Sequence, residues 1–332
     1  MTLRPILQTR TQVRRAVQTV FDGLGFLEVD TPVLSSEVLP EAHIDPVTVP
    51  LDGGGLHYLQ ASPEALMKRM LSAGSGPIYQ FARAFRAGER GRLHDVEFVL
   101  LEWYAPGTTL DDAAILVERL CAAAVGTSGI ERITCREAFR AHAEVDPLTA
   151  TADELLGALA RAGIAVPAST AHDAEQDRWD RGFEQLLAEV VQPRLGHGRP
   201  TMLEAWPASQ AAFARLDPAA PTTARRFELF VAGVELANGW EEETSRDVLA
   251  ARIDAANRAR AAAGRDVLPA PERLLAAHGP SMPEGVGAAL GFDRLVMLAA
   301  GADSIDAVRW PSRLTEQAGG RAQPPVNFDC HS

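Results

Sequence analysis

The sequence predicts an α+β fold, an antiparallel β-sheet flanked by helices and carrying a helical insertion. Three stretches carry that expectation. Tyr79–Phe85 and Val96–Tyr104 are apolar, strand-length segments joined by a loop rich in arginine and glycine. Arg226–Trp240 (RFELFVAGVELANGW) reads as two more strands about Ala232-Gly233, a candidate two-residue hairpin turn. From about residue 128 to 221 the chain is instead alanine-rich with helical spacing. No linker-like segment sets it off, which makes it an insertion within one domain.

The 332 residues suffice for a substantial core, and 46% apolar with 23% charged residues is ordinary for a soluble globular protein. No apolar run approaches the roughly 20 residues needed to cross a bilayer, and MTLRPILQTRTQVRR has no signal-peptide core. A cytoplasmic protein with no membrane association is expected. Cys121, Cys135 and Cys330 are widely spaced and fit neither a disulfide framework nor a zinc site. The net charge of −12 repels nucleic acid in bulk. Lys68 is the only lysine, read here as compositional bias.

Taken in order, Val13, Ala16, Val17, Val20, Phe21 and Leu24 set a helix from Thr11 to Leu24 with Gly25 at its C-cap. A short strand, Phe26–Val29, stops at Thr31-Pro32. Leu51–Gly55 is a turn, His57–Gln60 a strand, and Ser62-Pro63-Glu64 opens a helix with Ser62 as N-cap. Glu64 either complements the helix dipole or serves a ligand. Along Val96–Tyr104, period-two alternation puts Phe98, Leu100, Glu102 and Tyr104 on one face. A buried carboxylate is costly without a partner, so Glu102 meets an internal arginine or awaits a cationic ligand. The loop before it can hold a triphosphate, because guanidinium groups pair bidentately with phosphate oxygens. Helices follow over Leu110–Ala124 and, heavily Ala/Arg and exposed, over Ser245–Ala263. Gly285–Gly291 leads as a glycine-rich strand into Arg294 at a helix start, a second triphosphate contact.

Pairing about Ala232-Gly233 sets Phe230 opposite Glu235 and Glu228 opposite Ala237. Glu228 and Glu235 then share one face, either around a divalent cation or simply in solvent. Strict alternation would turn Asn238, Trp240 and Glu242 to the other face. For both sets to line one pocket, a bulge must occur near Ala237-Asn238-Gly239.

Together these pieces resemble the catalytic domain of a class II aminoacyl-tRNA synthetase. The helix–strand–Pro32 unit is similar to its first motif, Phe85-Arg86 through Phe98 to its second, and Gly291-Phe-Asp-Arg294 to its third. Within that family the chain resembles lysyl-tRNA synthetase and its short paralogues that lysylate elongation factor P. Ala61-Ser62-Pro63-Glu64, Leu101-Glu102-Trp103-Tyr104 and Glu235-Leu236-Ala237-Asn238-Gly239 carry that closer likeness. The resemblance implies one catalytic domain over residues 1–313; the residues beyond lack periodicity, and a loose tail is expected over 314–332.

It also implies roles, position by position. Arg86 and Arg294 would be catalytic. ATP would be held by Arg86, His94, Phe98, Glu228, Glu235 and Arg294, with Phe98 stacked on adenine and Mg2+ on Glu228 and Glu235. Arg86 and Asn238 would meet the substrate carboxylate and Glu64 its α-amino group. Glu102, Tyr104 and Glu242 would surround the ε-ammonium. Ala289 stands where lysyl-tRNA synthetases usually have glycine and the paralogues alanine. The implied activity is ATP-dependent adenylation of lysine or β-lysine and transfer to a lysine side chain of elongation factor P, by a homodimer built on the first motif. That motif begins almost at the start of the chain, which leaves no room for an anticodon-binding domain and, with the acidic charge, disfavours tRNA.

Two departures keep rivals open. The family's Phe-Arg-Asn-Glu is Phe85-Arg86-Ala87-Gly88 here, so a glutamate that helps read adenine is missing unless Glu89 substitutes. Gly239-Trp240-Glu241-Glu242-Glu243-Thr244-Ser245 sets three acidic residues and a bulkier aromatic beside the amine pocket. The rivals are an amino-acid activator with another acceptor (a carrier protein or a small molecule) and a non-catalytic synthetase-like regulatory subunit.

Overall fold

The apolar stripe of the first segment belongs to a longer helix than its spacing predicts. In the computed structural model, which describes residues 3–52, 55–166 and 174–309, α1 spans Leu3–Gly23 and buries Val13, Val17 and Phe21. Gly25, at φ 77°, ends it in the left-handed conformation expected of a helix terminus. The expected tail lies outside the described residues.

A short strand β1 (Leu27–Glu28) leads into a small sheet of β2 (Leu34–Ser35), β3 (Val47–Pro50) and β4 (Leu56–Leu59). Next come α2 (Glu64–Ser72), the antiparallel pair β5 (Ile78–Phe85) and β6 (Glu97–Pro106), and α3 (Leu110–Val125). After these, β7 (Glu131–Thr134) opens a helical excursion of α4 (Cys135–Ala143), α5 (Ala152–Arg161) and α6 (Glu175–Leu186). The chain returns through β8 (Thr201–Pro207), β9 (Leu216–Asp217), β10 (Ala220–Val231) and β11 (Val234–Glu241). It closes with α7 (Arg246–Ala262), α8 (Glu272–Ala277), β12 (Gly285–Gly291) and α9 (Phe292–Ala299). The large sheet runs β1-β5-β6-β12-β11-β10-β8-β7, with β9 beside β10. Among the described residues only β1/β5 and β7/β8 pair in parallel.

Residues 128–221 are therefore not one helical insertion. Among the described residues their α-helices lie within 135–186, and β7 and β8 extend the large sheet. Leu203 and Trp206 of β8 are buried against Phe139 and Phe183 of the helices, which ties excursion and sheet into one core.

The main core lies on one face of the large sheet. Leu101 and Trp103 of β6 point into it, against Phe21 of α1, Val117 and Leu120 of α3, and Leu295 and Val296 of α9. Phe21 stacks on Tyr79 with centroids 4.5 Å apart. Because neighbours along a strand alternate, Leu100, Glu102 and Tyr104 face the other way, over the functional cleft. α3 is held in register by a capping box between Thr109 and Asp112.

The β10/β11 turn is as expected: Ala232 and Gly233, at φ 51° and 75°, form the primed type that suits a hairpin. Phe230 does face Glu235, but Leu229 then faces Ala237, so the extra residue is Leu236. The bulge thus precedes 237–239, and Glu228 lies opposite Asn238 rather than Ala237. The reason is burial: Leu236 and Ala237, consecutive in sequence, both enter the main core, which strict alternation forbids. Gly239 serves a different end, since a Cβ there would overlap Ala288 and the Phe227 ring. The helix expected to be exposed, α7, buries Leu249, Ile253 and Arg260.

Candidate active site

A cleft of about 280 Å³ opens on the sheet face opposite the main core. Glu64, Arg86, His94, Phe98, Glu102, Tyr104, Glu235, Asn238, Ala289 and Arg294 all line it. Of the expected site residues, Glu228 and Glu242 do not; both are buried behind its wall. The bulge at Leu236 gathers the set, since it lets Glu235, Asn238 and Trp240 line one cleft. Glu89, the candidate substitute for the missing adenine-reading glutamate, also lines it, as do Glu41, Ser62, Trp240 and Gly287, for which the sequence suggested no ligand role.

At one end the carboxylates Glu64, Glu102 and Glu242 converge. Lys68, only 2% exposed, lies 2.7 Å from Glu64 Oε1 and 2.7 Å from Glu242 Oε2. The single lysine is therefore structural, not compositional noise. Burial alone would lower its pKa, but Glu242 and Glu64 outweigh that and raise it. Its spacing from Glu64 is i,i+4 on α2, a signal legible in the sequence.

Glu102 has no such cation. Its oxygens accept from Tyr104 Oη at 2.7 Å and Ser62 Oγ at 2.9 Å. Burial, and then the charge of Glu64, push its pKa up to about 8. Ser62 Oγ also accepts from the Glu64 N–H at 2.9 Å, so the cap that sets the start of α2 reaches Glu102 as well. The helix itself begins one residue later than expected, at Glu64.

Glu242 accepts at Oε2 from Trp240 Nε1, 3.2 Å away, a bond that a phenyl group could not make. Its Oε1 is buried and has no partner among the described residues. A Cβ at Gly287 would overlap that oxygen and the Tyr104 ring, so glycine keeps open the gap between them. Glu241 does not join this group. It faces the opposite way, accepting from Arg225 at 2.5 Å, Arg215 at 2.6 Å and the Leu110 N–H. Burial would raise its pKa, and these donors overcome that and lower it.

At the other end the groups are cationic. Arg86 lies 5.1 Å from the Phe98 ring centroid and donates to the Ala61 carbonyl at 3.4 Å. Gly88 has φ 78°, a conformation that disfavours any other residue, and it turns the loop so that Glu89 lines the cleft 3.7 Å from Arg86. Arg294 donates to the Glu235 carbonyl at 2.7 Å and lies 2.7 Å from His94 Nε2. Burial, and then the Arg294 charge, lower the His94 pKa, which favours a neutral ring able to accept. Asp293 anchors this corner, accepting from Arg10 of α1 at 2.6 Å and from the Val99 N–H at 2.9 Å.

Glu228 accepts from Arg226 at 2.6 Å, and Arg226 also donates to Asn238 Oδ1 at 3.2 Å. Burial, and then the Glu235 charge, push Glu228 up to about 8. Two mutually repelling carboxylates suit a hard divalent cation. Among the described residues no group of three or more His, Cys, Asp or Glu forms a complete metal site, so the rest of such a shell would come from phosphate and water. No helix among the described residues is long and apolar enough to cross a membrane.

The comparisons with known proteins agree with this architecture. The chain is similar to proteins named elongation factor P–(R)-β-lysine ligase from several bacteria. It is 39% identical over 307 residues to that of Edwardsiella ictaluri, covering 91% of this chain and 93% of the relative. It is 38% identical to that of Enterobacter sp. over 306 residues (91% and 93%) and 38% identical to that of Klebsiella pneumoniae over 309 residues (92% and 94%). Residues 2–313 match the family described as tRNA synthetases class II (D, K and N), and the chain belongs to that family.

Proposed function

We propose that this chain is a ligase that activates lysine or (R)-β-lysine as an adenylate, at the expense of ATP, and transfers it to a lysine side chain of elongation factor P. One observation supports the substrate class above all. Glu102, Tyr104 and Gly287 line the cleft beside Glu242, whose buried Oε1 has no partner among the described residues and would be overlapped by a Cβ at Gly287. An orphaned buried acceptor costs about 1–3 kcal/mol. An ammonium group entering there would satisfy it and neutralise Glu102. The acceptor is taken from the names of the relatives.

In this reading ATP lies along Arg86, Phe98, His94 and Arg294, with adenine on Phe98 and the distal phosphates on His94 and Arg294. Arg86 and Asn238 hold the substrate carboxylate, and Glu64 takes the amino group beside it. A carboxylate oxygen attacks the α-phosphorus in line, the bond to pyrophosphate breaks, and the aminoacyl-adenylate remains. The acceptor's neutral amine then attacks the acyl carbon, AMP leaves, the nitrogen gives up a proton, and an amide forms. Fixed positive charge and orientation do most of the work. Glu228 and Glu235 would hold Mg2+, whose chemistry there is to offset phosphate charge.

The two departures lose weight as arguments for another acceptor: Gly88 has a conformational reason, and Glu241 faces away from the amine end. We further propose a homodimer, supported by exposed Leu3, Leu7, Leu24 and Leu27 at and beside α1, and a cytoplasmic location, where elongation factor P would be met. Amino-acid-dependent ATP–pyrophosphate exchange tests the reading. Exchange is expected with lysine or β-lysine, and silence with every amine-bearing amino acid would refute it.

A further inference from the structure

We propose that Glu41 is a substrate-reading carboxylate of this site, which with Glu64 receives the amino group nearest the substrate carboxylate. The inference rests on the diamino-acid reading above and concerns a residue for which neither the motifs nor the family resemblance supplied a role. Four observations carry it.

Glu41 lines the cleft beside Glu64, Ser62 and Arg86, at the end where the substrate carboxylate would lie. Among the described residues its carboxylate forms no hydrogen bond or ion pair. Glu64, by contrast, has committed Oε1 to Lys68. The trio Glu64, Lys68 and Glu242 therefore has one net negative charge to offer, and the deeper ammonium draws on it too. A second amine needs another carboxylate, and Glu41 is the half-buried one at hand.

The backbone that presents Glu41 is clamped. Arg260, 1% exposed, donates to the carbonyls of Glu41 at 3.0 Å and Ile44 at 2.6 Å and to Asp45 Oδ1 at 2.8 Å. Arg265 adds donors to the His43 carbonyl and to Asp45 Oδ2. The Ala87 N–H, next to Arg86, donates to the Asp45 carbonyl at 2.8 Å. The segment from 41 to 45 is thus fixed to both α7 and the Arg86 loop, and Glu41 is a held group rather than a solvated one. Burial in the cleft pushes its pKa up to about 7, as fits a carboxylate whose counter-charge arrives with a ligand.

The test uses the full chain in amino-acid-dependent ATP–pyrophosphate exchange, with Glu41→Gln and Glu41→Asp beside the wild type. Glu41→Gln should raise the KM for lysine by roughly ten- to a hundredfold, the range for losing a charged hydrogen bond, and leave the KM for ATP nearly unchanged. Glu41→Asp should recover part of the loss. The probe 6-aminohexanoic acid keeps the carboxylate and distal ammonium of lysine but has no amine beside the carboxylate. It should inhibit wild type and Glu41→Gln equally. An unchanged lysine KM overturns the proposal. So does an equal loss for 6-aminohexanoic acid or ATP, which would make Glu41 a counter-charge for Arg86. Normal adenylate formation with slowed transfer to the acceptor overturns it as well. A wild type silent with lysine and β-lysine overturns the parent reading, and Glu41 falls with it.

Discussion

Replacing Lys68 by methionine removes the one cation shared by two buried carboxylates and keeps an unbranched chain of similar length. Lys68, Glu64 and Glu242 are 2%, 8% and 3% exposed, with both ion pairs at 2.7 Å. Deleting one partner of a buried pair costs about 3–5 kcal/mol, because the remaining charge is stranded. Here two are stranded, and one of them already has an orphaned oxygen. The loss should depend on pH. Burial holds Glu242 at about 7, above its ordinary 4.5, even with Lys68 lowering it. Without Lys68 that value rises further. A carboxyl whose folded pKa is raised contributes stability below its unfolded pKa and loses it as pH climbs through the folded one. Urea unfolding followed by circular dichroism should therefore show Lys68→Met weakened by about 3–5 kcal/mol at pH 8 and clearly less at pH 5. The pair Lys68→Met/Glu242→Gln, with one stranded charge removed, should recover part of the pH 8 loss. A loss below about 1 kcal/mol at both pH values, the size of an exposed pair, would refute a buried cation at this position.

Further outcomes follow from the same geometry. Glu102→Gln should raise the KM for the amino acid by roughly tenfold or more with little change in that for ATP, measured by pyrophosphate exchange. Equal losses would contradict an ammonium role for Glu102. Without ligands, Glu102 and Glu228 at about 8 and Glu242 at about 7 all bind protons more tightly folded than unfolded. The apo protein should therefore be clearly less stable at pH 8 than at pH 5, by several kcal/mol, because protons held by the folded carboxyls are lost as pH climbs through their raised pKa values. Lysine with ATP and Mg2+ should narrow that difference in calorimetry. Small-angle scattering at micromolar concentration should give the mass of a dimer; a monomer would rule out a two-fold interface at α1.

Much of the fold was legible because its signals are local. The hairpin turn, the alternation of Phe98, Glu102 and Tyr104, and the run from Gly285 to Arg294 each lie within a few residues. The remainder depends on contacts that spacing does not record. Lys68 of α2 meets Glu242, 174 residues away in the chain, just past the end of β11, and Arg260 reaches the segment bearing Glu41 from a helix whose composition reads as solvent-exposed. Glu228 gained Asn238 as its neighbour because two consecutive residues, Leu236 and Ala237, both enter the core, so the register shifts before the expected glycine. β8 hid inside an alanine-rich stretch because its burial is set by helices on one side and β10 on the other. Glu241 and Glu242 look alike in sequence, yet the last residue of β11 and the one after it turn to opposite sides.

The central claim is adenylation of a diamino acid followed by transfer to a protein amine. Its most direct measurement is the intact mass of elongation factor P after incubation with this protein, ATP, Mg2+ and lysine or (R)-β-lysine. A mass increase of one lysyl unit, located on a single lysine side chain and dependent on ATP, is expected. Pyrophosphate exchange with lysine but no change in the mass of the factor would contradict it.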